Sequence, residues 1–152
     1  MKLISHRGNI HGSNMELEND PNQIDICIEM GYDVEVDLRY DELTGSLWLG
    51  HDEPQYPITW TWLSQRSHEL WIHCKDFKTL NEMSCFARTS DSMPGYNYFW
   101  HQTDDYTLTS KGYIWTYPDK KVGPRSVLVD VNGEGIDQEC YGICSDHVGQ
   151  LK

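Results

Sequence analysis

Glu35 and Asp37 stand two residues apart in the run Asp33-Val34-Glu35-Val36-Asp37-Leu38, where the apolar members mark the buried side of a strand. Strand side chains repeat every two residues, so both carboxylates leave the opposite face together. Two like charges held side by side repel, and the pair is costly unless water or a cation lies between them. A solvated acidic face would satisfy this segment if it stood alone. It has company: His51-Asp52 follows after a short hairpin, and His6-Arg7-Gly8 ends the first strand. Carboxylates that can hold a cation now share a region with an arginine and two histidines that titrate near neutrality.

More polar residues gather at the ends of later strands. His73 and Lys75 close the third, and His101 follows the fourth, with Asp104 and Asp105 close behind. Each has a plainer reading. His6-Arg7-Gly8 can be a strand-end turn, His73 a hydrogen-bonded core histidine between Ile72 and Cys74, and His101 a strand cap. His11, His68 and His147 read as surface residues, and Trp60 and Trp62 as packing groups.

The elements that must position these groups are legible in outline. Lys2–Ser5 reads as a strand and residues 9–19 as a polar loop. Asp20-Pro21-Asn22-Gln23 starts a helix, with Asp20 as cap, Pro21 in the first turn and Gln23 three residues on. Ile24, Cys27 and Ile28 form its apolar stripe, and Gly31 stops it. Strand 33–39 follows at once, so the opening is β-α-β, parallel and right-handed. Thr44-Gly45 turns the chain into strand 46–50. Pro54 and Pro57 mark a loop, 59–70 a helix, 70–75 a strand, 76–87 a helix and 96–100 a strand. Three further strands, at 113–117, 126–131 and 141–144, are joined by links too short for most helices. The pattern predicts a reduced, distorted TIM-type (β/α) barrel of about six to seven core strands, with few helices in its second half.

Size and composition bound the rest. The 152 residues suit one domain, and six Trp and nine Tyr argue for a packed core. A net charge of −12 disfavours nucleic acid and anionic membranes as partners. No apolar run approaches membrane-spanning length, and no signal peptide precedes the first strand. Five cysteines without a CxxC pair point to reduced thiols and a cytoplasmic location. Strand edges left bare by missing helices predict self-association into a homo-oligomer.

The order of these pieces resembles the glycerophosphodiester phosphodiesterase family: His6-Arg7-Gly8, then Glu18-Asn19 and a helix, then Glu35-Val36-Asp37, then His51-Asp52. Trp115-Thr116 and Ser145-Asp146 resemble the family's late W-T and T-D signatures. The resemblance implies a metal-dependent phosphodiesterase acting on a small glycerophosphodiester or related sugar- or lipid-derived diester. It assigns His6 and His51 as the acid/base pair, Glu35 and Asp37 as ligands of Mg²⁺ or Ca²⁺, and Arg7, Lys75 and Trp115 to the substrate phosphate. One departure stands out: the family's third strand carries Glu-x-Lys with a metal-binding Glu, where this chain has His73-Cys74-Lys75. His73 then becomes the third ligand, with Asp104 or Asp105 able to restore the missing charge and His101 a candidate additional site residue. The alternative is a phosphate-binding module without turnover.

Overall fold

The computed structural model describes residues 1–86, 95–135 and 139–151. Its first half contains β1 (Lys2–His6), α1 (Pro21–Glu29), β2 (Asp33–Asp41), β3 (Ser46–Leu49), β4 (Tyr56–Ile58), α2 (Trp60–Gln65), β5 (Leu70–Cys74) and α3 (Phe77–Phe86). The second half contains β6 (Asn97–Phe99), β7 (Tyr106–Leu108), β8 (Ile114–Thr116), β9 (Ser126–Val129), β10 (Gly142–Ser145) and a 3-10 turn at Val148–Gln150.

All ten strands belong to one sheet. Its parallel part runs β6-β5-β2-β1-β10-β9-β8. β7 adds antiparallel to β8, and the β3–β4 hairpin adds antiparallel to the far end of β2. β2 therefore has three partners: β1 along 33–35, β5 along 34–38 and β3 along 38–41.

The architecture corrects the barrel expectation. The sheet is mixed and curls into an open half-barrel, and helices do not alternate with strands around it. After α3 the described strands are linked by loops and one hairpin. A parallel crossover helix needs a dozen or more residues, and the links around β7 and β8 leave no room for one. Between β6 and the β7–β8 hairpin there is no ladder; Ser110, whose N–H donates to the Tyr98 carbonyl at 2.9 Å, and Thr107, whose hydroxyl donates to the Trp100 carbonyl at 3.0 Å, bridge the gap.

Each face of the sheet has its own apolar layer. On the convex face Val34, Val36, Leu38, Ile72 and Cys74 meet Ile24 and Cys27 of α1, Leu63 of α2 and Met83 of α3. On the concave face Ile4, Trp71, Phe99, Trp115, Val127 and Cys144 form a floor, with the Phe99 and Trp115 rings stacked at 4.5 Å. Each such side chain contributes about 1.5–3 kcal/mol on burial.

Local expectations hold where the caps are explicit. Asp20 accepts the Asn22 N–H at 2.9 Å and Pro21 opens α1. The helix expected over 59–70 is shorter, because Leu70 is in the β5 ladder opposite Val34 and the chain must turn before it. The helix expected to reach Ala87 is described to Phe86; Ala87 lies outside the described residues. The loop expected at Pro54–Pro57 contains β4, where Pro57 is tolerated because β4 is an edge strand. No described helix is long and apolar enough to cross a membrane.

Candidate functional site

Parallel register places the chemistry. His6 lies opposite Glu35 and Asp37 opposite His73, so alternation carries all four side chains to the concave face, above the aromatic floor. Lys75 follows on the same side, and Asp146 arrives just past β10. The loop after β1 is fixed by two left-handed residues, Arg7 (φ 55°), where the conformation is uncommon, and Asn19 (φ 62°), a residue type that adopts it more readily. They hold each other: the Asn19 N–H donates to the Arg7 carbonyl at 2.8 Å, and the Arg7 N–H to the Glu35 carbonyl at 3.0 Å. Asn19 then clamps Asp37 from both sides. Its amide donates to Asp37 Oδ2 at 3.0 Å, and its carbonyl accepts the Asp37 N–H at 2.9 Å.

Glu35 (2% exposed) and Asp37 (0% exposed) sit at the centre of the charges. Arg7 Nε lies 3.1 Å from Asp37 Oδ2, while Lys75 Nζ and His73 Nδ1 each lie 3.2 Å from Asp37 Oδ1. His73 Nδ1 is 3.6 Å from Glu35 Oε1. Arg7 is held on its other side by Glu18 at 3.1 Å. His6 directs Nδ1 to Asp146 at 2.8 Å, and its Nε2 lies 3.9 Å from Glu35 Oε2. Despite this crowding, Glu35 Oε2 and Asp37 Oδ1 receive no aligned hydrogen bond. Buried carboxylate oxygens are rarely left so, and a cation is one partner that suits them. Ligand atoms of Glu35, Asp37 and His73 all lie within 4.8 Å of one another.

The electrostatics follow the geometry. Burial alone would lower the His73 pKa, but the close carboxylates of Asp37 and Glu35 lift it to about 9. Burial would raise Asp37; His73, Lys75 and Arg7 instead drive it far below the usual carboxylate range. His6 is raised, since Asp146 and Glu35 outweigh its desolvation, and Asp146 is lowered in turn. In the metal-free chain His73 thus holds its proton more tightly folded than unfolded, where the ordinary value is 6.5. The stability this supplies is complete below about pH 6.5 and is lost as pH rises through 9, roughly 3 kcal/mol in all. The melting temperature of metal-free protein should fall over that window, and His73→Gln should flatten the slope. A parent profile that is flat from pH 6.5 to 9 would count against this protonation state.

The cluster opens into a cleft of about 520 Å³, lined also by Arg39, His51, Trp100, His101 and Tyr117. His51 is set by its backbone. Arg39 donates to the Gly50 carbonyl at 2.9 Å and to the His51 carbonyl. Gly50 has φ 153°, and a Cβ there would lie 2.0 Å from the Glu53 carbonyl oxygen, backbone that cannot swing aside. Gly50→Ala should therefore cost on the order of 1–3 kcal/mol. It should also slow any His51-dependent turnover, as a paired melt and rate measurement would show; parental values in both would remove Gly50 from the site's support.

His6, Arg7, His51, His73, Lys75 and His101 all line this cleft, with Glu35 and Asp37 buried behind it. His73 faces the carboxylates rather than the convex core. Both His101 ring nitrogens are buried without a partner, and burial beside His73 lowers its pKa. Three expected residues stand elsewhere. Trp115 belongs to the floor, packed on Trp71 and Phe99 beneath the cleft. Asp104 and Asp105 are exposed; Asp105 pairs with Lys120 at 3.1 Å, and neither joins the carboxylate cluster. Asn19 and Asp146 gain roles that their motifs alone did not reveal, Asn19 as the clamp on Asp37 and Asp146 as the partner of His6. The signal for Asp146 was its place at a strand end, as for His6 and His73. No family model, no curated protein and no solved structure matches this chain.

Proposed function

We propose that the chain is a metal-dependent phosphodiester hydrolase, taking a small glycerophosphodiester or a related sugar- or lipid-derived diester, as its resemblance to the glycerophosphodiester phosphodiesterases implies. One observation carries the reading. In a chain of net charge −12, a buried Glu35–Asp37–His73 cluster shares one cleft with Arg7, Lys75 and the His6–Asp146 pair. Glu35, Asp37 and His73 would hold the cation, and the two carboxylates offer the hard oxygens that Mg²⁺ and Ca²⁺ prefer. When bound, a divalent ion neutralises charge on the phosphoryl oxygens as phosphorus becomes five-coordinate.

The chain's own residues supply the rest. Arg7, through its planar fork, and Lys75 hold the phosphoryl oxygens. A hydroxyl, from water or from the substrate itself, forms the new P–O bond, and the P–O bond to the departing alcohol breaks. One of His6 and His51 takes the attacker's proton and the other returns one to the leaving alkoxide. Asp146 on Nδ1 leaves His6 Nε2 facing the cleft for that exchange. Metal-stripped protein should release no alcohol from bis(p-nitrophenyl) phosphate or glycerophosphocholine, and a divalent cation should restore release. Tight phosphate binding without turnover under any cation would make the chain a binding module instead.

A further inference from the structure

Residue 73 meets the two carboxylates with a nitrogen instead of a third oxygen, and the structure fixes which nitrogen. Nε2 lies 2.8 Å from the His101 carbonyl, which can only accept, so Nε2 carries a hydrogen. Nδ1 is the atom turned toward Asp37 Oδ1 and Glu35 Oε1. The ring is stacked on Phe99, 5.2 Å between centroids and 7° from parallel, so it has little freedom to rotate. A carbonyl on the far ring nitrogen is the support that metal-ligating histidines commonly have, because it fixes the tautomer and orients the lone pair. Opposite it, Glu35 Oε2 and Asp37 Oδ1 are buried without an aligned donor.

Building on the hydrolase reading, we propose that this site selects a borderline first-row transition ion, Fe²⁺ to Zn²⁺, over Mg²⁺ and Ca²⁺, and that His73 sets the preference. Ca²⁺ is satisfied by six to eight oxygens and Mg²⁺ by a near-octahedral oxygen shell, so neither gains from an imidazole. Transition ions of borderline softness do gain from it. Arg7 and Lys75 beside Asp37 also offset part of the anionic charge on which the hard ions depend.

Most mixed N/O sites rank Zn²⁺ above Mg²⁺, so the test is the change that residue 73 makes to the ranking. Metal-free parent, His73→Glu and His73→Gln are titrated calorimetrically with Mn²⁺, Zn²⁺, Mg²⁺ and Ca²⁺. Co²⁺ absorption bands report nitrogen ligation, and melts check folding. His73→Glu should tighten Mg²⁺ and Ca²⁺ and weaken Zn²⁺, narrowing the Zn²⁺-to-Mg²⁺ affinity ratio by about 100-fold. His73→Gln, which removes the nitrogen without adding charge, should weaken Zn²⁺ by about 10–100-fold, leave Mg²⁺ nearly unchanged and shift the Co²⁺ bands. If His73→Glu does not fold, the Gln variant decides alone. Equal shifts for all ions, or Co²⁺ bands indifferent to residue 73, overturn the proposal. Selective binding with no turnover of any diester would sink the hydrolase reading and leave the selectivity standing.

Discussion

Asp37→Asn is expected to lose tight divalent-cation binding and about 3 kcal/mol of stability in one step. The substitution keeps the volume and removes the charge. Arg7, Lys75 and His73 all lie within 3.2 Å of that carboxylate, and each is largely shielded from water. Leaving buried cations without their counterion costs about 3–5 kcal/mol, more than the pairing gained when it formed. Glu18 and Glu35 still offset part of the charge, which places the expectation at the low end. The Asn19 clamp also suffers, since its amide N–H would face an amide that has one acceptor oxygen instead of two. Urea melts and calorimetric titration with Mn²⁺ check both halves. A variant with parental midpoint and parental affinity would show that Asp37 is neither ligand nor hub.

His6→Ala should lower turnover by about 10²–10⁴-fold, the usual worth of a positioned proton donor or acceptor. Phosphate binding should survive, because Arg7 and Lys75 are untouched. His51→Ala should cost a comparable factor, as the other member of the proposed acid/base pair in the same cleft. Asp146→Ala separates positioning from chemistry: without Asp146 the His6 pKa loses a support that raises it, and whichever limb of the pH–rate profile His6 sets should move to lower pH. Near-parental turnover in His6→Ala would pass the proton-transfer role to His101, whose ring nitrogens have no protein partner.

The strand pair β1–β2 and its polar face were readable because alternation is a local property. Val34, Val36 and Leu38 declare one side, and Glu35 and Asp37 the other. The cap at Asp20 was readable for the same reason. The strand β7 was not, because it is three residues with two exposed side chains and no apolar pattern to mark it. Nor was the openness of the sheet, which depends on whether β6 and β7 meet, a fact no local window holds. Within the site, residue types announced the clustered carboxylates and the basic groups around them. Trp115 and Asp104–Asp105 were misplaced because strand-end position alone does not tell inward from outward or floor from rim. Asn19 was hidden differently: its role rests on a left-handed backbone and a contact eighteen positions away.

The His6–Asp146 bond joins residues 140 positions apart, and β1 has β10 as one of its two neighbours. On a ribosome that arrangement imposes an order of events. His6 emerges well before its orienting carboxylate and the strand that covers one side of β1. Until residue 142 is out, β1 offers an unpaired row of N–H and C=O groups beside apolar side chains, the kind of surface that other nascent chains and chaperones find first. The His6–Asp146 pair can therefore form only once Asp146 is out, and a polypeptide halted near Glu139 should lack it and be prone to aggregate.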